Sequence, residues 1–93
     1  MTSKKNWTYE ELEAGLLEIM RSQKQFGESI TSQTDLAAAG LDSLTMVRIL
    51  VAIEEKFGVW LEGDVLSREN LRTVEMMTQC LQKVLAGESS ASA

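Results

Sequence analysis

The side chains that most enzymes depend on are scarce in this chain. It has no histidine and one cysteine among 93 residues. Without histidine the commonest general base and metal ligand is gone, which excludes His-dependent triads and leaves no metal site to expect. Cys80 alone excludes an internal disulfide. The group left to consider is a hydroxyl. Ser43 follows Asp42 where a run of helical period begins. Taken alone, a serine at a helix start is a cap, but Asp42 is an equally good one, so two capping residues in succession are redundant. A helix N-terminus also presents backbone N–H groups that favour an added phosphate. Ser43 could therefore carry a phosphoester without electrostatic penalty. As a lone catalytic nucleophile it fails, because no histidine exists to activate it and no lysine is near in sequence. No sequence-local acid–base pair occurs elsewhere, so catalysis is not expected.

The helix that would position Ser43 runs from about Ser43 to Phe57, with Asp42 as N-cap and Gly58 as its stop. At about 100° per residue, Met46, Ile49, Leu50, Ile53 and Phe57 share one stripe, which suffices as a core face. Leu44, Val47 and Val51 fall on another, edged by Arg48 and Glu55. A surface helix needs only one apolar stripe. The second stripe means either a central helix packed on both sides or an exposed contact patch rimmed by charge. Its position beside Asp42 and Ser43, where a long loop joins, favours the patch.

Two further helices are expected. Thr8 with Glu11 fits a capping box, followed by Leu12, Leu16, Ile19 and Gln23 at helical spacing, with an end near residues 25–27 where Gly27 can turn left-handed. Gly15 within it costs about 1 kcal/mol relative to alanine. The last helix carries Val74, Met77, Leu81 and Val84, with Thr73 as cap. Residues 27–41 have no period and form a long loop, which Ile30 and Leu36 should pin to the core. Ser67-Arg68-Glu69-Asn70 should make one short helical turn. Trp60 reads as a core lid, Cys80 as a buried small hydrophobe and the five methionines as gap-fillers. Val59-Trp60-Leu61 is too short to anchor a sheet. The fold class is all-α, a small bundle of three major helices and one short one. Residues 1–7 and 87–93 are expected to be a flexible start and a disordered tail around a domain of residues 8–86.

Lys plus Arg is 9 and Asp plus Glu is 14, so the net charge is −5. Residues 1–27 balance, and the whole excess lies in residues 28–93. That argues against nucleic acid or anionic lipid as partner; the excess is either the counterpart of a basic protein surface or a solvated acidic face, the commoner case for a generic acidic domain. No run has the length of a membrane span and no signal-peptide core opens the sequence, so a cytoplasmic monomer is expected.

Asp35-Leu36-Ala37-Ala38-Ala39-Gly40-Leu41-Asp42-Ser43-Leu44 resembles the attachment motif of acyl carrier proteins and their aminoacyl and peptidyl relatives. Glu54-Glu55-Lys56-Phe57-Gly58-Val59 resembles the end of that family's second helix, and Leu71-Arg72-Thr73-Val74 the start of its last. The resemblance spans about residues 8 to 86. It implies a four-helix bundle, covalent 4′-phosphopantetheine on Ser43, and Asp42 helping a phosphopantetheinyl transferase place its metal and the serine hydroxyl. It implies partner recognition through Leu44, Val47 and Val51, with Arg48 and Glu55 at the rim. Arg48 stands where many carriers have an acid, so partners here would offer a matching carboxylate. The segment Leu61-Glu62-Gly63-Asp64 lacks the proline common in the family after the Phe-Gly turn.

The function so implied is a shuttle that holds acyl groups as thioesters in fatty-acid or polyketide-type synthesis. A stand-alone aminoacyl or peptidyl carrier loaded by a separate ligase is the alternative, with downstream transferases as partners in either case. A helical adaptor without a prosthetic group is the rival of another class.

Overall fold

The computed structural model describes residues 7–86, and the tail expected at 87–93 lies outside them. Of the flexible start expected at 1–7, only Trp7 is described; it meets Phe57 edge-on with ring centroids 4.8 Å apart. Three α-helices are present, α1 (Tyr9–Arg21), α2 (Ser43–Phe57) and α3 (Val74–Leu85), and no strand occurs among the described residues.

Each helix begins as its sequence dictates. In α1 the Thr8 hydroxyl accepts from the Glu11 N–H and the Glu11 carboxylate accepts from the Thr8 N–H, which completes the capping box. Asp42 caps α2 through Thr45 N–H, and Thr73 caps α3 through Met76 N–H. Gly58 ends α2 in the left-handed region at φ 75°, where a side chain would be strained.

α1 packs against both α3 and α2. Leu12, Leu16, Ile19 and Met20 of α1 meet Ile49, Leu50, Ile53 and Phe57 of α2 and Val74, Met77 and Leu81 of α3 in one buried core. The long loop is fixed as well as long. Ile30 and Leu36 are buried. Arg21 Nη2 donates to the Ile30 carbonyl at 3.1 Å. Leu36 N–H donates to Arg72 O at 2.8 Å, and Glu75 N–H donates to Ser32 O at 2.9 Å. These bonds tie the loop to the end of α1 and to the start of α3, so the run into Ser43 starts from a fixed base.

Five expectations are corrected. α1 stops at Arg21, because the Ser22 hydroxyl bonds back to Ile19 O at 2.6 Å and residues 22–26 form turns. Met20, not Gln23, fills the last core position of α1. Residues 67–70 are turns and not a short helix; a 3₁₀ helix stands earlier, at Gly63–Leu66, and Asn70 closes over it by donating to Val65 O at 3.0 Å. Trp60 is not a lid: it is 46% exposed, and Leu61 fills the core beside it. Cys80 is half-buried rather than buried, and burial pushes its thiol pKa up.

Gly15 has a use that its helix propensity hides. A Cβ there would stand 2.6 Å from Phe57 Cζ and 3.1 Å from Lys56 Cδ. The α1–α2 approach therefore requires glycine, and the Lys56–Glu18 ion pair at 3.2 Å lies on the same seam. Alanine would gain about 1 kcal/mol in propensity but force the buried Phe57 ring against Trp7, at about 1–3 kcal/mol for overpacking. Gly15→Ala is expected to lower the thermal midpoint by several degrees, at about 4–8 °C per kcal/mol, as read by circular dichroism.

Candidate functional site

Ser43 is the first residue of α2 and is exposed. The cap is made by its neighbour: Asp42 Oδ1 accepts from Thr45 N–H at 2.8 Å, and Asp42 O accepts from Met46 N–H at 2.9 Å. The serine hydroxyl is thus not needed to start the helix. The Ser43 and Leu44 amides lie in the first turn, where no carbonyl one turn back can accept from them. An exposed Oγ beside those amides, at the positive end of a helix, fits a group joined through a phosphoester.

The first turn of α2 is braced from below. Thr45 is buried, and its hydroxyl accepts from Gln25 Nε2, which ties the turns after α1 to the base of the site. Hydrogen bonding from Thr45, first through its backbone N–H and then through its side chain, holds the Asp42 carboxyl below the usual carboxylate range. The sign follows: a depressed native value means a stabilising contribution present at neutral pH and lost as pH falls through that native value. Asp42→Ala is expected to melt at a lower temperature than the parent at pH 7. The gap between the two should narrow on acidification below the ordinary carboxylate value and stay constant above it.

The two stripes of α2 separate as the helical spacing requires. Ile49, Leu50, Ile53 and Phe57 are buried. Met46 is half-buried. Leu44 is 62%, Val47 53% and Val51 40% exposed, and Arg48 and Glu55 are exposed beside them. The second stripe is therefore a solvent-facing apolar patch and not a second packing surface.

Between α2 and residues 66–72 lies an open groove of about 1060 Å³. Ser43 and Asp42 form part of its wall, with Met46, Val47 and Leu50 farther along α2 and Leu66 and Leu71 opposite. Arg68 and Arg72 also line it. Asp35 Oδ2 stands 3.8 Å from Arg72 Nε. Neither arginine stood out in the sequence, although they are the only basic residues between Gly58 and Thr73. Among the described residues no cluster of His, Cys, Asp or Glu could hold a metal, and no helix is long and apolar enough to cross a membrane.

Comparison with known proteins bears on this geometry. A curated aminoacyl carrier protein of Agrobacterium fabrum is 28% identical over 64 residues, 69% of this chain and 77% of that protein. Two crystal structures hold a carrier protein from Agrobacterium tumefaciens with an engineered Bradyrhizobium japonicum glycine:[carrier protein] ligase. In the ATP complex the match has a TM-score of 0.66 at 26% identity, over 76% of this chain and 96% of that one. In the AMP complex the TM-score is 0.65 at 26% identity, over 75% and 97%. Residues 15–81 match the family described as phosphopantetheine attachment site. With most of its length in that match, the chain belongs to the family of phosphopantetheine-bearing carrier proteins.

Proposed function

We propose that the protein is an aminoacyl carrier. Ser43 Oγ bears 4′-phosphopantetheine as a phosphodiester, a phosphopantetheinyl transferase installs it, and a separate ligase loads it with an amino acid that downstream transferases collect. The observation that carries the attachment is the exposed Ser43 hydroxyl at the first position of α2, released from capping by Asp42. When bound, the group supplies a terminal thiol that holds a carboxylic acid as a thioester. The protein's own thiol cannot substitute, since Cys80 is half-buried and its pKa is raised.

The remaining residues serve presentation. Asp42, exposed beside Ser43 at the start of α2, helps a transferase place its metal and the serine hydroxyl. Leu44, Val47 and Val51 give a small apolar surface on which partners dock and from which they can leave. The acidic excess of residues 28–93 attracts a basic partner surface and speeds encounter. Arg48 and Glu55 set local charge matching at the rim. The carrier domain spans residues 8–86 and acts as a monomer, with no chemistry of its own. The likeness to an aminoacyl carrier, and to a carrier seen with a glycine ligase, supports an amino acid as cargo ahead of the fatty-acid or polyketide setting.

Two steps of intact-mass measurement test this. Coenzyme A and a promiscuous phosphopantetheinyl transferase are expected to add one phosphopantetheine to the peptide containing Ser43. A glycine:[carrier protein]-type ligase with ATP is then expected to add an amino acid that hydroxylamine removes, while an acyl ligase adds nothing. No gain in the first step would leave the adaptor reading standing. Loading by the acyl ligase alone would return the cargo to the fatty-acid or polyketide class.

A further inference from the structure

The groove beside Ser43 is lined by both arginines of the segment that joins α2 to α3. Arg68 and Arg72 are exposed, and neither is part of the core. Arg72 is held at two points. Its carbonyl accepts from Leu36 N–H at 2.8 Å, and its Nε lies 3.8 Å from Asp35 Oδ2. That separation is well beyond the roughly 2.7–2.9 Å of a charge-assisted hydrogen bond. The side chains are 69% and 46% exposed, so the pair is a weak one. It uses Nε and leaves the terminal amino groups of the fork available to a second anion. Arg68 makes no ion pair among the described residues.

Three carboxylates line the same groove and oppose an added anion: Asp35, Asp42 and Glu69. Two are engaged. Asp42 accepts from Thr45 N–H, and Asp35 accepts from Ala38 N–H at 3.2 Å while facing Arg72. Glu69 makes no ion pair among the described residues and neither does Arg68, so the Arg68 guanidinium and the terminal amino groups of Arg72 both face an added anion without a fixed partner.

This inference rests on attachment of the arm at Ser43. A group esterified there leaves the helix mouth at the groove wall, carrying one negative charge on its phosphodiester. We propose that Arg72, assisted by Arg68, is a positioning residue that binds this phosphodiester and holds the root of the arm against Met46, Leu50 and Leu71. Arginine suits the task because its planar fork matches two phosphate oxygens at once. The resting arm is then docked at its root, and a partner enzyme must compete with the two arginines to extend it.

Amide and arginine-side-chain NMR of the apo and holo forms, with phosphorus NMR of the holo form, tests the assignment. Conversion to holo is expected to shift the Arg72 and Arg68 Nε–H signals and the amides of residues 66–72. Those shifts, and the position of the phosphorus signal, should change in Arg72→Gln. The shifts of the 66–72 amides, which remain readable without either guanidinium, should be lost in the Arg68→Gln/Arg72→Gln double variant and at high salt, and be partly kept in Arg72→Lys. Each variant is compared with its own apo form, so loss of the Asp35 contact cancels. Holo-induced shifts confined to the immediate neighbours of Ser43, or unchanged in the double variant, would overturn the proposal. Absence of any mass gain at Ser43 would instead overturn the attachment, and this inference with it.

Discussion

Ser43→Ala is expected to abolish phosphopantetheinylation and all later loading while leaving the fold intact. The loss should be complete rather than graded. The modification needs an oxygen at that position to join phosphorus, and the threonine and serine hydroxyls elsewhere lack its placement at the mouth of α2. The stability effect should be small. The Asp42 carboxylate makes the cap bond and Thr45 anchors the first turn from below. Surface substitutions away from such features usually stay within about 0.5 kcal/mol. Intact mass after treatment with coenzyme A and transferase reads the first half, and the thermal midpoint reads the second. A variant that still gained mass would place the attachment elsewhere. A variant that unfolded would show that Ser43 starts the helix after all.

The residues that carry this argument were legible because they obey local rules. Capping is decided within four residues, so Thr8, Asp42 and Thr73 are found where spacing puts them. Helical period depends only on angle, so the division of α2 into a buried stripe and an exposed one follows from its sequence. The misses have nonlocal causes. Gly15 reads as a weak helix former until Phe57 is seen against it. Trp60 reads as core because it is large and apolar, yet Leu61 next to it takes the core position. The groove lies between α2 and residues 66–72, which are distant from the first turn of α2 in sequence, while α1 packs on both other helices. Arg68 and Arg72 are four residues apart but sit in turns, so no helical spacing marks them as neighbours of Ser43.

The exposed stripe of α2 carries the second large effect, and the structure permits a clean separation of docking from folding. Leu44 is 62% exposed at the second position of the helix and is not part of the wall of the groove beside Ser43. Aspartate there removes an apolar contact but places a negative charge in the first turn, which the helix dipole favours by roughly 0.3–1 kcal/mol. Leu44→Asp should therefore melt no lower than the parent. If the patch is the docking surface, burying that carboxylate against an apolar partner pocket should remove a hot-spot contact of about 2 kcal/mol or more. That corresponds to a fall of roughly 30-fold in kcat/KM for loading. Val51→Asp, one turn below the patch centre, should act in the same direction with less force. Arg48→Glu should act differently, through association rate and salt dependence, because rim charges steer encounter more than they hold a complex. The three variants together discriminate between uses of the helix. A surface needed only for folding would make Leu44→Asp unstable and Arg48→Glu silent. A docking surface gives a stable Leu44→Asp protein that its ligase loads slowly, and an Arg48→Glu protein whose deficit fades as salt screens the charge.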